Sequence, residues 1–257
     1  MSNVRPAPNI RGGPRRYNPS VLRAILFDFN GVLVDDEPLH LEMFQRVLAE
    51  EGIGLSAADY YTHFLGLDDR GCLKAALAAA GERSTPERLV RLIVRKASYY
   101  QERVRQQGYP LFPGAAAVVR AAAAAGLMLG VVSGALREEV EGALQQADLA
   151  GLFKILVTAD DVAAGKPDPE GYRRALEALN SLPPLPERLL HPHEVLAIED
   201  SPAGLSAAAD AGLVTLAIAH TYPAAQLGAA DAVAESIQNL SIERLADLFA
   251  GNPGAAS

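Results

Sequence analysis

The sequence predicts an α/β fold: a parallel sheet of five strands or more, flanked by helices, with a four-helix cap inserted after the first strand. Three observations predict it. Five short apolar runs bounded by Gly, Pro, Asp or Ser recur along the chain. Helical patterns alternate with the later runs, the arrangement a parallel sheet with helices on both faces requires. Roughly ninety residues separate the first two runs, far more than one crossover helix needs.

The first strand is read over Ala24–Phe29, nearly all apolar, as expected when both faces are covered. The cap follows. Residues 38–51 place Leu41, Phe44, Val47 and Leu48 on one stripe, and Gly52-Ile53-Gly54 stops that helix. Ser56 is placed to cap a short second helix, and Asp68 or Asp69 a third running to about Ala80. The fourth and longest runs from Pro86, suited to a first turn, to about Gln107. Phe112-Pro113-Gly114 returns the chain to the sheet. Helix 115–125, strand 128–133, helix 136–147, strand 154–158, helix 169–179, strand 195–199, helix 203–211 and strand 214–218 then follow in order. The proline-rich stretch 181–186 reads as a stiff connection. The expected division is a flexible N-terminal tail (1–20), a core (21–36 and 112–249), a cap (37–111) and a flexible C-terminus (250–257).

Bulk properties narrow the function. The 257 residues are 49% hydrophobic and 21% charged, ordinary for a soluble globular protein. The net charge of -8 disfavours non-specific binding to nucleic acid or anionic membranes, and no apolar run approaches a bilayer span. Cys72 is the only cysteine, so no intramolecular disulfide forms and a reducing, cytoplasmic compartment is expected. The first twenty residues lack the apolar core of a secretory signal. Nothing requires more than a monomer, and the expected partner is a small metabolite.

Chemistry concentrates at the strand ends. Asp28 closes the first strand, Ser133 the second, the Asp160-Asp161 turn leads to Lys166, and Glu199-Asp200 closes the fourth. In a parallel sheet these C-terminal ends share one edge. Carboxylates converging there repel one another unless a cation sits between them, and oxygen ligands favour magnesium over zinc. A carboxylate, a magnesium ion, a hydroxyl and a lysine make a site for a phosphoryl group, and the carboxylate can serve as nucleophile.

With those residues in view, the chain resembles the haloacid dehalogenase superfamily, in its helical-cap branch with the phosphoglycolate phosphatases and β-phosphoglucomutases. DFNGVLVD (28–35) resembles the first motif, VVSGA the second, GKPDPEGY the third and IEDSPAGLSAAADAG the fourth, over nearly all of 23–249. The resemblance implies a Rossmann-like core. It makes Asp28 the nucleophile, puts Ser133 and Gly134 on the phosphoryl oxygens, and has Lys166 neutralise charge. It implies Mg2+ held by Asp28, the main-chain carbonyl of Asn30 and Asp200, with Glu199 in the outer shell. The cap loop 65–70 falls in the substrate-selecting region, where Arg70 could pair with a substrate carboxylate or distal phosphate.

One position departs from the pattern. Family phosphatases usually carry Asp where this chain has Asn30, and an amide has no proton to give near neutral pH. His40 is the candidate substitute for that acid, with Asp35 and Asp36 as alternatives that better suit turn or cap duty. The expected activity is Mg2+-dependent hydrolysis of a small phosphorylated metabolite through an aspartyl phosphate, slowed by Asn30. The alternative is a non-catalytic binder of the same ligands. A sugar-phosphate mutase, a phosphonatase and a dehalogenase rank lower: the first leans on the missing acid, the second needs a lysine that loop 65–70 lacks, and the third has no use for Glu199-Asp200.

Overall fold

The computed structural model describes residues 21–249 apart from 66, 68 and 184–187. The expected tails, the Asp68 capping role and the second half of the proline-rich connection lie outside the described residues.

The sheet has six parallel strands in the order β3-β2-β1-β4-β5-β6. They are β1 (Ala24–Phe27), β2 (Met128–Val132), β3 (Ile155–Val157), β4 (Val195–Glu199), β5 (Val214–Ile218) and β6 (Ala232–Ala234). β1 is central, pairing Ala24 with both Met128 and Val195. Its strand geometry ends at Phe27 rather than Phe29. Asp28 N–H still donates to the Ile198 carbonyl (2.9 Å), but Gly31 then turns the chain with φ 77°. β6 is an edge strand that the apolar runs did not reveal. Only three residues long and half-buried, it carries no alternating pattern. The Asp231 carboxylate before it anchors it by accepting from the Thr215 N–H (2.8 Å) and hydroxyl (2.9 Å).

Side-chain alternation along β1 builds both layers. Ile25 and Phe27 pack with Val118, Val119 and Val140, while Ala24 and Leu26 pack with Tyr172, Ala175 and Ala207 on the other face. The first layer is α5 (Ala115–Ala124) and α6 (Arg137–Gln146); the second is α7 (Glu170–Ser181) and α8 (Pro202–Asp210). A further short helix, Ile242–Asp247, is the last element among the described residues. Phe27 is wholly buried, a burial worth about 1.5–3 kcal/mol.

Four helices lie between β1 and α5: α1 (Glu37–Glu50), α2 (Ala57–Asp59), α3 (Asp69–Ala79) and α4 (Pro86–Gln107). Ser56 accepts from the Asp59 N–H and caps α2, which runs on into a π-turn over Tyr60–Phe64. These helices have a core of their own. The α1 stripe Leu41, Phe44, Val47 and Leu48 meets Cys72, Leu73 and Leu77 of α3 and Leu89 and Leu92 of α4. Leu39 and Met43, on the other side of α1, belong to the main core and tie the two parts together. Among the described residues no helix is long and apolar enough to cross a membrane.

Candidate active site

The C-terminal ends of β1 and β4 deliver Asp28, Glu199 and Asp200 to one place. All three are buried, and one oxygen from each lies within 4.8 Å of the others. The backbone allows this only through two glycines. A Cβ on Gly31 would sit 1.9 Å from an Asp200 oxygen, and one on Gly204 2.0 Å from a Glu199 oxygen.

Lys166 is the cation among them. Its Nζ lies 2.8 Å from Asp28 Oδ1 and 2.6 Å from Glu199 Oε1. Tyr172 donates its hydroxyl to the same Glu199 oxygen at 2.5 Å, and the Phe29 N–H donates to Asp28 at 2.7 Å. One lysine does not balance three acids. Burial first and Glu199 second push the Asp28 carboxyl well above the usual carboxylate range, against the pull of Lys166. The same two causes raise Asp200 to about 7, although the Thr221 hydroxyl bonds it. Burial opposes the charge on Lys166, but Asp28 and Glu199 outweigh it and hold the ammonium in place. A surplus of buried carboxylate oxygen is the donor set that a hard divalent cation satisfies, so the residues present fit Mg2+.

A cleft of about 840 Å³, lined by Lys166 and Tyr172 of this cluster, opens between the sheet edge and the cap helices. Asn30, His40, Ser133, Gly134 and Lys166 all line it. Ser133 is buried, and its Oγ accepts from the Ala135 N–H at 2.9 Å, leaving its own hydroxyl hydrogen to donate. Arg70, the residue proposed for substrate on the cap, is exposed in the first turn of α3 and outside the cleft lining. Leu67 and Asp69 stand there instead.

A second polar network runs from the core into the cap. Asn30 Nδ2 lies 3.0 and 2.8 Å from the two oxygens of Asp36, which also accepts from the Tyr100 hydroxyl (2.8 Å) and pairs with His40 Nε2 (3.2 Å). The other ring nitrogen of His40 is 2.6 Å from Lys96 Nζ, which in turn is 2.7 Å from Asp69 Oδ1. An ammonium only donates, so Nδ1 accepts and the ring proton belongs on Nε2, facing Asp36. Both nitrogens of His40 are therefore engaged. Burial works against charge on Asp36, yet the bonds from His40, Asn30 and Tyr100 prevail and keep its carboxyl below the ordinary range. Asp36 is thus not the turn or cap residue expected: it occupies the N-cap position of α1 but makes no side-chain capping bond.

Sequence reasoning named Asp36 only as an alternative proton-transfer group more suited to a turn or cap, gave Tyr100 a packing role and noted Thr221 only as lying near the active edge; it missed Lys96 and Tyr172 altogether. Two of these five left a trace. Lys96 and Tyr100 continue the buried stripe Leu89, Leu92, Lys96, Tyr100, Val104 of α4, so a lysine stands where a core residue belongs. His220 bonds the Gly31 carbonyl at 3.0 Å and stacks on Phe112 with ring centres 3.9 Å apart, supporting the turn that carries Asp28 and Asn30. His191 and His193 stack on each other at 5.5 Å, away from the three-carboxylate cluster.

The comparisons agree with this geometry. Validoxylamine A 7'-phosphate phosphatase of Streptomyces hygroscopicus subsp. limoneus is 28% identical over 231 residues, covering 84% of this chain and 94% of its own. The plasmid CbbY protein of Cupriavidus necator is 30% identical over 224 residues, covering 79% and 80%. The crystal structure of CbbY from Rhodobacter sphaeroides in complex with phosphate superimposes with a TM-score of 0.71 at 25% identity, covering 86% of this chain and 96% of that one. The model of the haloacid dehalogenase-like hydrolases matches residues 22–212, and the chain belongs to that family of enzymes.

Proposed function

We propose that the protein is a Mg2+-dependent phosphatase of a small phosphorylated metabolite, acting through a phosphoryl group carried on Asp28. The observation that carries this reading is the Lys166 ammonium 2.8 Å from Asp28 and 2.6 Å from Glu199, beside Asp200, under a cleft lined by Ser133. Asp28 and Asp200 are the residues to hold the ion, the resemblance adds the Asn30 main-chain carbonyl, and Glu199 backs them through Lys166. Bound there, Mg2+ neutralises charge on the phosphoryl oxygens. An Asp28 oxygen attacks phosphorus, and the ester oxygen leaves as the alcohol with a proton drawn from solvent, which the attacking water returns in the next step. Water then cleaves the aspartyl phosphate, releasing inorganic phosphate and restoring the carboxylate. Lys166, Ser133 and the Gly134 amide orient the phosphoryl oxygens. The relatives' names point to phosphorylated sugars and similar metabolites as the substrate class. The cap, proposed as 37–111 over a core of 21–36 and 112–249, closes to exclude water.

A second reading rests on Asn30, which has no proton to give: the protein binds such ligands without turning them over. Lys96 does not revive a Schiff-base chemistry, since its Nζ is already committed to Asp69 and His40. A screen of phosphorylated sugars and small acids with and without Mg2+, beside Asp28→Asn, separates the readings. Phosphate release that requires both metal and Asp28, with a phosphorylated Asp28 peptide found by mass spectrometry after acid quench, supports the phosphatase. Metal-dependent binding without release at stoichiometric protein supports the binder. Release that persists in Asp28→Asn ends the first reading.

A further inference from the structure

Asn30 is an amide where its family usually has an acid, but the rest of the site is not indifferent to that change. Its Nδ2 meets both oxygens of Asp36, at 3.0 and 2.8 Å, and Asp36 is 1% exposed. A buried carboxylate at that range demands a donor. An aspartate at position 30 would set oxygen against oxygen. Asp36 draws two more donors, from two different cap helices: the Tyr100 hydroxyl on α4 at 2.8 Å and His40 Nε2 on α1 at 3.2 Å. His40 is locked in that tautomer by Lys96 on its other nitrogen. The carboxylate is thus held from three elements, and it holds Asn30.

An amide is planar, with one donating end and one accepting end. One Nδ2 hydrogen is committed to the Asp36 carboxylate, which fixes the rotation of the amide and leaves Oδ1 as its acceptor for anything in the cleft that Asn30 lines. We propose that Asp36 is a positioning residue that fixes the Asn30 amide, so that Oδ1 orients a substrate hydroxyl or the attacking water while taking no proton from it. A free asparagine would present either end. Here the rotation of the amide is set by Asp36, and Asn30 belongs to a matched pair, not to a damaged acid.

This inference rests on the phosphatase reading for its kinetic consequence, but not for its structural one. Against the best phosphate ester from the screen, Asp36→Ala releases the amide. It should lower kcat by about 10–100-fold, with KM within about threefold, because a misplaced orienting group harms the reacting geometry more than binding. Asp36→Asn keeps one acceptor oxygen for three donors and should fall between Asp36→Ala and the native protein. An unchanged kcat in Asp36→Ala, or a loss confined to KM, overturns the proposal. The second measurement needs neither substrate nor a folded variant. In the nitrogen-15 NMR spectrum of the native protein, the Asn30 side-chain amide protons should be resolved from those of exposed asparagines and protected from exchange with water. Exchange as fast as that of exposed asparagines would overturn it. If the screen finds no phosphate release at all, the phosphatase reading fails, while the amide measurement still decides the pairing of Asn30 with Asp36.

Discussion

Lys96 and Asp69 form an ion pair across the α3–α4 contact, and its two ends are unequally buried. The Lys96 side chain is 3% exposed and that of Asp69 35%, at 2.7 Å. The ammonium also lies 4.6 Å from the centre of the Phe44 ring. Removing either partner therefore has different consequences. Lys96→Met keeps the apolar stem in the α4 stripe and leaves an aspartate that water can reach. Its stability cost should be small, within about 1 kcal/mol. Asp69→Ala strands an ammonium that water cannot reach, and should cost about 2–3 kcal/mol, less than a full buried-pair loss because His40 and the Phe44 ring remain. Urea unfolding of the two variants checks the ranking, and equal costs would refute it.

The carboxylates under the cleft predict how stability responds to pH and metal. A carboxyl raised on folding binds more protons in the folded than in the unfolded chain. Its favourable contribution is complete below the unfolded value near 4 and disappears as pH rises through the folded value, about 7 for Asp200. Asp28 is raised in the same direction. The metal-free protein should therefore lose melting temperature between about pH 4 and about pH 7, the window between the unfolded and folded values. Mg2+ should restore it at the upper end, by about 5–10 °C at a hundredfold excess over Kd, and do little at the lower end. Differential scanning calorimetry across pH, with Mg2+ or chelator, reads both effects. A metal-independent profile would remove the cation from this cluster.

Asp28→Asn should separate function from stability. The cluster holds three acids against one lysine, so deleting one negative charge relieves repulsion while Lys166 keeps Glu199 at 2.6 Å. Without metal the variant should melt higher than the native protein, by about 1–3 kcal/mol of stability, and show no phosphate release. A lower melting temperature in chelator would mean that the Asp28–Lys166 pair outweighs the repulsion.

The sheet and the clustered acids were readable from the sequence because each signal there is local. An apolar run ending in Asp28 or Glu199-Asp200 says strand and edge at once, and Leu41, Phe44, Val47 and Leu48 announce the buried stripe of α1 by spacing alone. β6 was hidden because three small, half-buried residues have no pattern to detect. The Asp36 network was hidden for a different reason. Asp36 and His40 are four residues apart, but Tyr100 and Lys96 arrive from a helix some sixty positions on, Tyr100 lying 64 residues after Asp36. A residue type at one site cannot disclose a partner chosen by tertiary packing. Arg70 shows the converse: a loop matched by motif put its charge outside the cleft, and Asp69 took the inward place.

The Asn30–Asp36 pairing makes a last prediction, about restoring the missing acid. Asn30→Asp alone brings two carboxylates to the 2.8–3.0 Å now spanned by a hydrogen bond. Both cannot ionise in a buried site, so they share one proton over a range that extends well above the ordinary carboxyl value. The single variant should therefore be less stable at about pH 8 than at about pH 5.5, where the shared proton is retained. Its new acid is tied to Asp36 and not free for the leaving oxygen, so the gain in turnover should be small. Asn30→Asp with Asp36→Ser removes the competitor and leaves a hydroxyl that can donate to the new carboxylate. Turnover of the double variant should exceed that of the single one by at least about tenfold, within the 10²–10⁴-fold that general acid–base help supplies. Steady-state kinetics of the four proteins in this cycle, with thermal melts at both pH values, measures the coupling directly. Additive effects would show that the two positions act independently.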